Sequence, residues 1–205
     1  MRVLAIVHEA DTGPGVFAEA IHERGAQIEE WCPPDGGPPP RDPGEYDGVI
    51  VCGGSAHPDQ GQVHEWIVSE RAVLGELIDR NVPVLGLCLG AELLAGALGA
   101  SVGRMSESEI GWYQVQTTES ARHDPLIGPL GPESIALEWH SYEFQLPAIG
   151  TPLAHSDRCV QAFRAGENAW GIQFHAEVTM ADFESWIASH SSDPAAVAID
   201  LDPDA

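Results

Sequence analysis

The sequence predicts an α/β fold with a largely parallel sheet, and three observations predict it. Short apolar runs alternate with stretches of helical period through the first half of the chain. Proline and glycine punctuate those stretches where helices start and stop. After Gly99 the pattern changes to short β-like runs separated by turns, which adds an antiparallel or mixed extension.

Each element follows in order. Residues 2–7 read as a first buried strand. Residues 14–24 form a helix with Pro14 near its start and Gly25 just past its end. Residues 27–31 are a second strand. Residues 33–44, rich in Pro, Gly and Asp, are a surface loop too short for a domain linker. The strand over 46–52 centres on Gly48-Val49-Ile50-Val51 and ends in Gly53-Gly54. A long amphipathic helix covers 63–80, a buried strand 82–87 and a buried helix 89–98, capped by Gly99. Beyond it, 112–117, 136–139 and 161–164 are β-like, 171–175 closes as another strand, and 181–189 is a helix. Residues 191–205 are polar and acidic with no convincing last element. The expected organisation is one catalytic domain over 1–190 and an acidic tail over 191–205, with no internal repeat.

Charge narrows the function classes. Nine basic residues face 32 acidic ones, for a formal net charge of −23, and every basic residue is arginine. Such a surface repels nucleic acid and anionic membrane, so neither is expected as a partner. Salt adaptation or a drift in genome composition accounts for it equally well. No run approaches the ~18 apolar residues of a membrane span, and the N-terminal apolar run is too short for a signal peptide. A cytoplasmic location is expected. The four cysteines, Cys32, Cys52, Cys88 and Cys159, form no C-x-x-C pair, so neither a zinc site nor a redox dithiol is expected. His57, His64, His123 and His155 show no metal-ligand spacing and read as surface residues. Trp112, Trp139 and Trp170 read as core. No Gly-Lys-Ser/Thr follows Gly53-Gly54, so no nucleotide cofactor is implied; no cofactor or metal is expected.

Three segments carry chemistry. In Gly86-Leu87-Cys88-Leu89-Gly90 a strand ends, the chain turns sharply and a helix begins. Glycine on both sides permits a strained turn that lifts the Cys88 side chain onto a helix N-terminus, where the dipole favours a thiolate. A small buried cysteine in a glycine-rich turn is the competing account. In Gly171-Ile172-Gln173-Phe174-His175-Ala176-Glu177, His175 and Glu177 are two apart and share a strand face. A carboxylate beside a histidine orients the base and stabilises its cation, although such a pair alone is also a common surface coincidence. In Val51-Cys52-Gly53-Gly54-Ser55 the glycine pair exposes backbone N–H groups at a strand end. With the Leu89 N–H, Gly53 or Gly54 would serve a tetrahedral oxyanion; a plain tight turn is the alternative. All three lie at C-terminal strand ends, where open α/β sheets place their sites.

These segments carry a resemblance. Residues 82–95 resemble the nucleophile segment of class I glutamine amidotransferases, Gly171 to Val178 their histidine segment, and Cys52-Gly53-Gly54-Ser55 their oxyanion loop. Glu109-Ile110-Gly111-Trp112 and Glu138-Trp139-His140-Ser141-Tyr142-Glu143-Phe144 are similar to a stand-alone subgroup related to the glutaminase domain of GMP synthase. The likeness runs from Met1 to about Ser189. It implies a flavodoxin-like three-layer α/β/α fold. It also implies attack by Cys88 on a glutamine side-chain amide, release of ammonia and hydrolysis of a γ-glutamyl thioester, with His175 as base and Glu177 orienting it. Without an attached synthetase, the ammonia would go to a separate synthetase partner.

The pocket departs from the family. Glutamine usually stands four residues after the nucleophile, where this chain has Glu92. Aspartate usually stands where it has Tyr142, and helps hold the substrate's amino group. Proline usually precedes the glutamate, where it has Ala176. Glu92, Tyr142 and His140, the last as a pocket-lining residue, are the candidate substrate-binding residues. A carboxylate at 92 would repel a thiolate or an α-carboxylate, so weak activity on free glutamine is expected. Glu92 also resembles γ-glutamyl hydrolases, so hydrolysis of another γ-glutamyl compound is the alternative function. A partner-binding relative without enzymatic activity is a further one.

Overall fold

The computed structural model describes residues 1–189 and Ala196. Its elements run in chain order as β1 (Arg2–Ile6), α1 (Gly15–Glu23), β2 (Gln27–Trp31), β3 (Gly48–Val51), α2 (Glu65–Asp79), β4 (Val84–Leu87), α3 (Leu89–Ala97), β5 (Val102–Thr117), β6 (Glu133–Phe144), β7 (Gly150–His155), β8 (Val160–Ala165), β9 (Ala169–Ile172) and α4 (Met180–Ser189). The strands form one nine-stranded sheet in the order β2-β1-β3-β4-β9-β8-β7-β5-β6. From β2 to β9 every pairing is parallel. From β9 to β6 every pairing is antiparallel. The parallel half is the flavodoxin-like core, and the antiparallel half is the extension foreseen beyond Gly99.

Alternation along the parallel strands builds the layers. Leu4, Ile6, Val49, Val51 and Val84 face one way and pack with Ile67, Leu74 and Leu77 of α2 and Leu89, Leu93 and Leu94 of α3. Val3, Ile50, Leu87 and Ile172 face the other way and pack with Phe17 and Ile21 of α1 and with Ala121 and Ile127. Two apolar clusters on opposite faces of one sheet make the three-layer arrangement.

Several boundaries differ from the expected ones. The strand expected to run through residue 175 ends at Ile172. Its last rung is the Cys88 N–H donating to the Ile172 carbonyl at 2.8 Å. There β4 bends away into α3, and β9 loses its neighbour on that side, while on the other the Gln173 N–H donates to the Gln161 carbonyl at 2.8 Å. The chain then crosses to β6, where the His175 N–H donates to the Leu137 carbonyl at 2.9 Å. The strand β5 starts ten residues earlier than expected, at Val102 instead of 112. Its first part has no fully buried residue before Glu109 and only Val102 and Met105 as half-buried apolar side chains, so no apolar alternation marks it. The strand β7 is not among the expected ones; Thr151 and Pro152 follow its first residue, Gly150, and both are exposed. Trp112 is 66 % exposed and not core: it pairs with Leu137 in the β5–β6 ladder, and its ring lies 6.4 Å from that of Phe183 on α4. The expected tail over 191–205 lies outside the described residues except for Ala196, which is helical, buried and packed near Ile110. Among the described residues, no helix is long and apolar enough to cross a membrane.

Candidate active site

Cys88 sits on the turn between β4 and α3 with φ 48° and ψ −111°. A left-handed φ at a residue with a side chain is strained, and such strain persists only where surrounding packing enforces it. The packing is explicit here. A Cβ on Gly86 would come within 2.5 Å of the Gly90 carbonyl oxygen, and one on Gly90 would overlap the Val51 carbonyl. Only glycine at both positions lets α3 start this close to β3 and β4. The result is a side chain held up at the helix N-terminus, 7 % exposed, with Sγ 3.9 Å from the Trp139 carbonyl oxygen.

His175 reaches Cys88 from the segment just beyond the end of β9. Its Nδ1 lies 2.8 Å from Glu177 Oε1, and the rest of the ring engages the Cys88 sulfur. Burial by itself would lower the imidazole's pKa. The charges of Glu177 and Cys88, with their hydrogen bonds, outweigh it and hold the pKa well above its ordinary value. A third contact lay outside sequence reach. Trp186, on α4, stacks edge-on against His175 at 4.8 Å between ring centroids and meets Trp139 edge-on at 5.9 Å. It reaches the site only because α4 packs back across the cleft, where its indole N–H donates to the Asp11 carbonyl at 3.0 Å.

The glycine loop arrives beside the same sulfur. A Cβ on Gly53 would lie 3.4 Å from His175 Cε1 and 3.7 Å from Cys88 Cβ. One on Gly54 would lie 3.2 Å from Leu89 Cδ2. Gly53, Gly54 and Leu89 therefore lie around Cys88. Leu89 is the first residue of α3, so its N–H has no intrahelical partner.

A cleft of about 610 Å³ opens above Cys88, with Glu92, His140, Tyr142, His57, Arg104 and Trp186 among the residues lining it. All three residues expected to bind substrate lie on its wall. His57, expected at the surface, lies there too and stacks on Tyr142 at 4.5 Å between centroids. The Tyr142 hydroxyl donates to Asp59 at 3.1 Å, so a carboxylate stands behind the position where the family has one. Glu92 is buried and accepts a hydrogen bond from Gln173 Nε2 at 3.1 Å. Burial pushes its pKa up to about 7, against the opposing hydrogen bond from Gln173 and the nearby charges of His140 and His175, with Asp59 adding to the rise. The plain anion expected at this position is therefore a group that is partly neutral at neutral pH.

His140 is held away from solvent between two buried carboxylates. Its Nδ1 donates to the Tyr142 carbonyl at 2.8 Å. Its Nε2 lies 3.1 Å from Glu109 and 3.2 Å from Glu138. Neither oxygen lies along the ring N–H direction, so the attraction is coulombic more than a directed hydrogen bond. Among the described residues, Glu109, His140 and Cys159 are the one group whose ligand atoms lie close enough for a metal, all within 4.8 Å. Glu109 there already receives Gln161 Nε2 at 2.8 Å beside the His140 cation. The donor set is closed by its own hydrogen bonds and ion pairs, and it fits a charge-paired network better than a metal site.

The cysteine stands on a glycine-flanked strand–helix elbow, with a histidine–carboxylate pair just past the end of the adjacent strand and a glycine loop beside it, an arrangement on an α/β sheet that suits a nucleophilic cysteine. The model of the glutamine amidotransferase class-I family matches residues 18–191, and the chain belongs to that family. It is 32 % identical over 194 residues to the glutamine amidotransferase-like protein YfeJ of Salmonella typhimurium, covering 91 % of this chain and 80 % of that protein. It is 32 % identical over 155 residues to a glutamine-hydrolyzing GMP synthase subunit of Halobacterium salinarum, covering 70 % of this chain and 76 % of that one. A glutamine amidotransferase crystal structure from Thermotoga maritima superposes with a TM-score of 0.90 at 29 % identity, over 99 % of this chain and 86 % of that one.

Proposed function

We propose that the protein hydrolyses a γ-glutamyl amide, with glutamine as the first candidate, through a thioester on Cys88 that releases ammonia. The observation that carries this reading is the convergence of Cys88, His175–Glu177 and Gly53-Gly54 at one cleft. The Cys88 sulfur attacks the side-chain carbonyl carbon while its proton rests on His175. The negative charge that develops on oxygen is met by the N–H groups of Leu89 and of the Gly53-Gly54 loop. His175 then gives its proton to the leaving nitrogen, the C–N bond breaks, and ammonia departs. Water, losing a proton to His175, attacks the thioester; the γ-carboxylate leaves and the thiol is restored. Glu177 keeps the imidazole oriented and balances its charge throughout. The likeness to a glutamine-hydrolyzing GMP synthase subunit supports glutamine as the ammonia donor and a separate synthetase as the consumer.

Ammonia release from a panel of free glutamine, γ-glutamyl amides and γ-glutamyl peptides tests the reading, with amine release followed for the peptides. Turnover of at least one of these is expected; a protein inert to the whole panel, with and without a synthetase partner, refutes it.

Glu92 gives this activity a pH signature. As a neutral acid, below about pH 7, it offers a hydrogen-bond donor like the amide the family carries there. As a carboxylate, above that pH, it faces the thiolate and the substrate's own carboxylate. The ratio of kcat/KM for glutamine between the native protein and Glu92→Gln is expected to fall as pH rises from 6 to 8, by roughly ten-fold for one lost charge-assisted contact. Superposable pH profiles for the two proteins would show that Glu92 does not govern the pocket.

A further inference from the structure

One buried pair stands behind the glycine loop and takes no part in the chemistry above. His8, just past the end of β1, has its Nδ1 2.8 Å from the Gly53 carbonyl oxygen. Its Nε2 lies 3.0 Å from Glu70 on α2. Both side chains are essentially without solvent exposure, and the His8 ring stacks on Trp66 at 5.0 Å between centroids. Burying a charge-capable pair costs stability unless it is well satisfied, and a packed apolar pair would fill the same space. Its position explains what it is for.

The sheet order places β3 between β1 and β4, so the loop leaving β3 has His8 on one flank and Cys88 on the other. A trans peptide points its C=O and its N–H in opposite directions, and the chain's described peptides are all trans. A Gly53 carbonyl pinned toward His8 therefore turns the Gly54 N–H toward Cys88. The pin is needed because a peptide between two glycines rotates with little steric resistance. Rotated over, it would aim a carbonyl oxygen at the developing oxyanion. The packing also reserves the position: a Cβ on Gly54 would lie 2.9 Å from His8 Cβ.

We propose that His8, backed by Glu70, is a positioning residue that holds the Gly53 carbonyl and thereby aims the Gly54 N–H at the oxyanion formed on Cys88. The inference deepens the thioester reading and rests on it. His8 touches no substrate; it acts through the peptide it holds.

The test separates steps that build an oxyanion from one that does not. Acylation of Cys88 by γ-glutamyl-p-nitroanilide passes through a tetrahedral oxyanion, whereas alkylation of the same sulfur by iodoacetamide does not. His8→Phe keeps the ring and its stacking on Trp66 but removes the donor. It is expected to slow single-turnover acylation by roughly 100-fold or more, with KM and the alkylation rate unchanged. His8→Asn carries an amide nitrogen near the place of Nδ1 and is expected to recover most of the loss. Acylation by His8→Phe at the native rate overturns the inference. Equal impairment of His8→Phe and His8→Asn, or alkylation slowed in parallel with acylation, also overturns it, because a packing role would do that. If His8→Phe does not fold, His8→Asn and Glu70→Gln carry the test. Both keep a donor at the Gly53 carbonyl, and a 100-fold acylation defect in both, with normal alkylation, is the overturning result. A native protein that alkylates at Cys88 but is never acylated refutes the thioester reading itself.

Discussion

Cys88→Ala is expected to remove hydrolysis of every γ-glutamyl substrate, by on the order of 10⁴-fold or more, because the sulfur proposed to form the thioester is gone. The fold should survive. Alanine keeps the Cβ, so the strained turn is neither relieved nor worsened, and the loss of one sulfur should move stability by under ~1 kcal/mol. Selective labelling gives the second arm. Burial pushes the thiols of Cys32, Cys52 and Cys159 above the ordinary range, and Cys52 has no exposure at all. Thiolate is the reactive form, so a haloacetamide at neutral pH should modify Cys88 and leave the other three. Measured together, residual turnover by Cys88→Ala or label spread evenly over the four cysteines would remove Cys88 from the nucleophile's role.

What the sequence displayed of this site was its backbone logic. Glycines at 86 and 90 announce an elbow because no other residue can sit so close to β3 and the start of α3. His175 and Glu177 still meet, at 2.8 Å, even though the strand ends earlier and the segment bends, with a single rung to Leu137 anchoring it. The central parallel strands were readable for a different reason: β1, β3 and β4 are short apolar runs with most residues buried, while the edge strand β2 is mixed and largely unburied. The antiparallel half was not, because residues 102–108 carry only Val102 and Met105 as half-buried apolar side chains at no strand period, and Thr151-Pro152 are exposed. His8, Glu70 and Trp186 were invisible as site residues. Nothing in their local sequence sets them apart, and each arrives through the packing of β1, α2 or α4 against distant elements. Glu92 was legible in place but not in charge state, because burial and the Gln173 contact decide that and both are tertiary.

His140→Leu is expected to destabilise the fold by ~3–5 kcal/mol, the usual cost of leaving a buried charge without its partner. For a chain of this size that is a fall in Tm on the order of 10 °C. The imidazole's burial opposes its charge, yet Glu109 and Glu138 push its pKa up to about 10, with the charge at Cys88 adding to the rise. The sign of the linkage follows. The folded pKa lies above the unfolded value near 6.5, so the stabilisation is complete below about pH 6.5 and is lost as pH rises toward 10. Glu109, held below its usual range with His140 as its partner, adds stability above its ordinary pKa and loses it in acid. Glu138, pushed up by burial, works against the pair in the alkaline direction. The native protein should therefore lose stability between pH 6.5 and 10 more steeply than His140→Leu, and the gap between their unfolding curves should narrow over that range. The double variant His140→Leu, Glu138→Leu separates charge from packing. If the loss is ionic, removing one orphaned carboxylate should return much of it, and the double variant should be more stable than His140→Leu alone. A double variant less stable than either single one, with a pH-independent gap, would mean that His140 stabilises the fold by its shape and not by its charge.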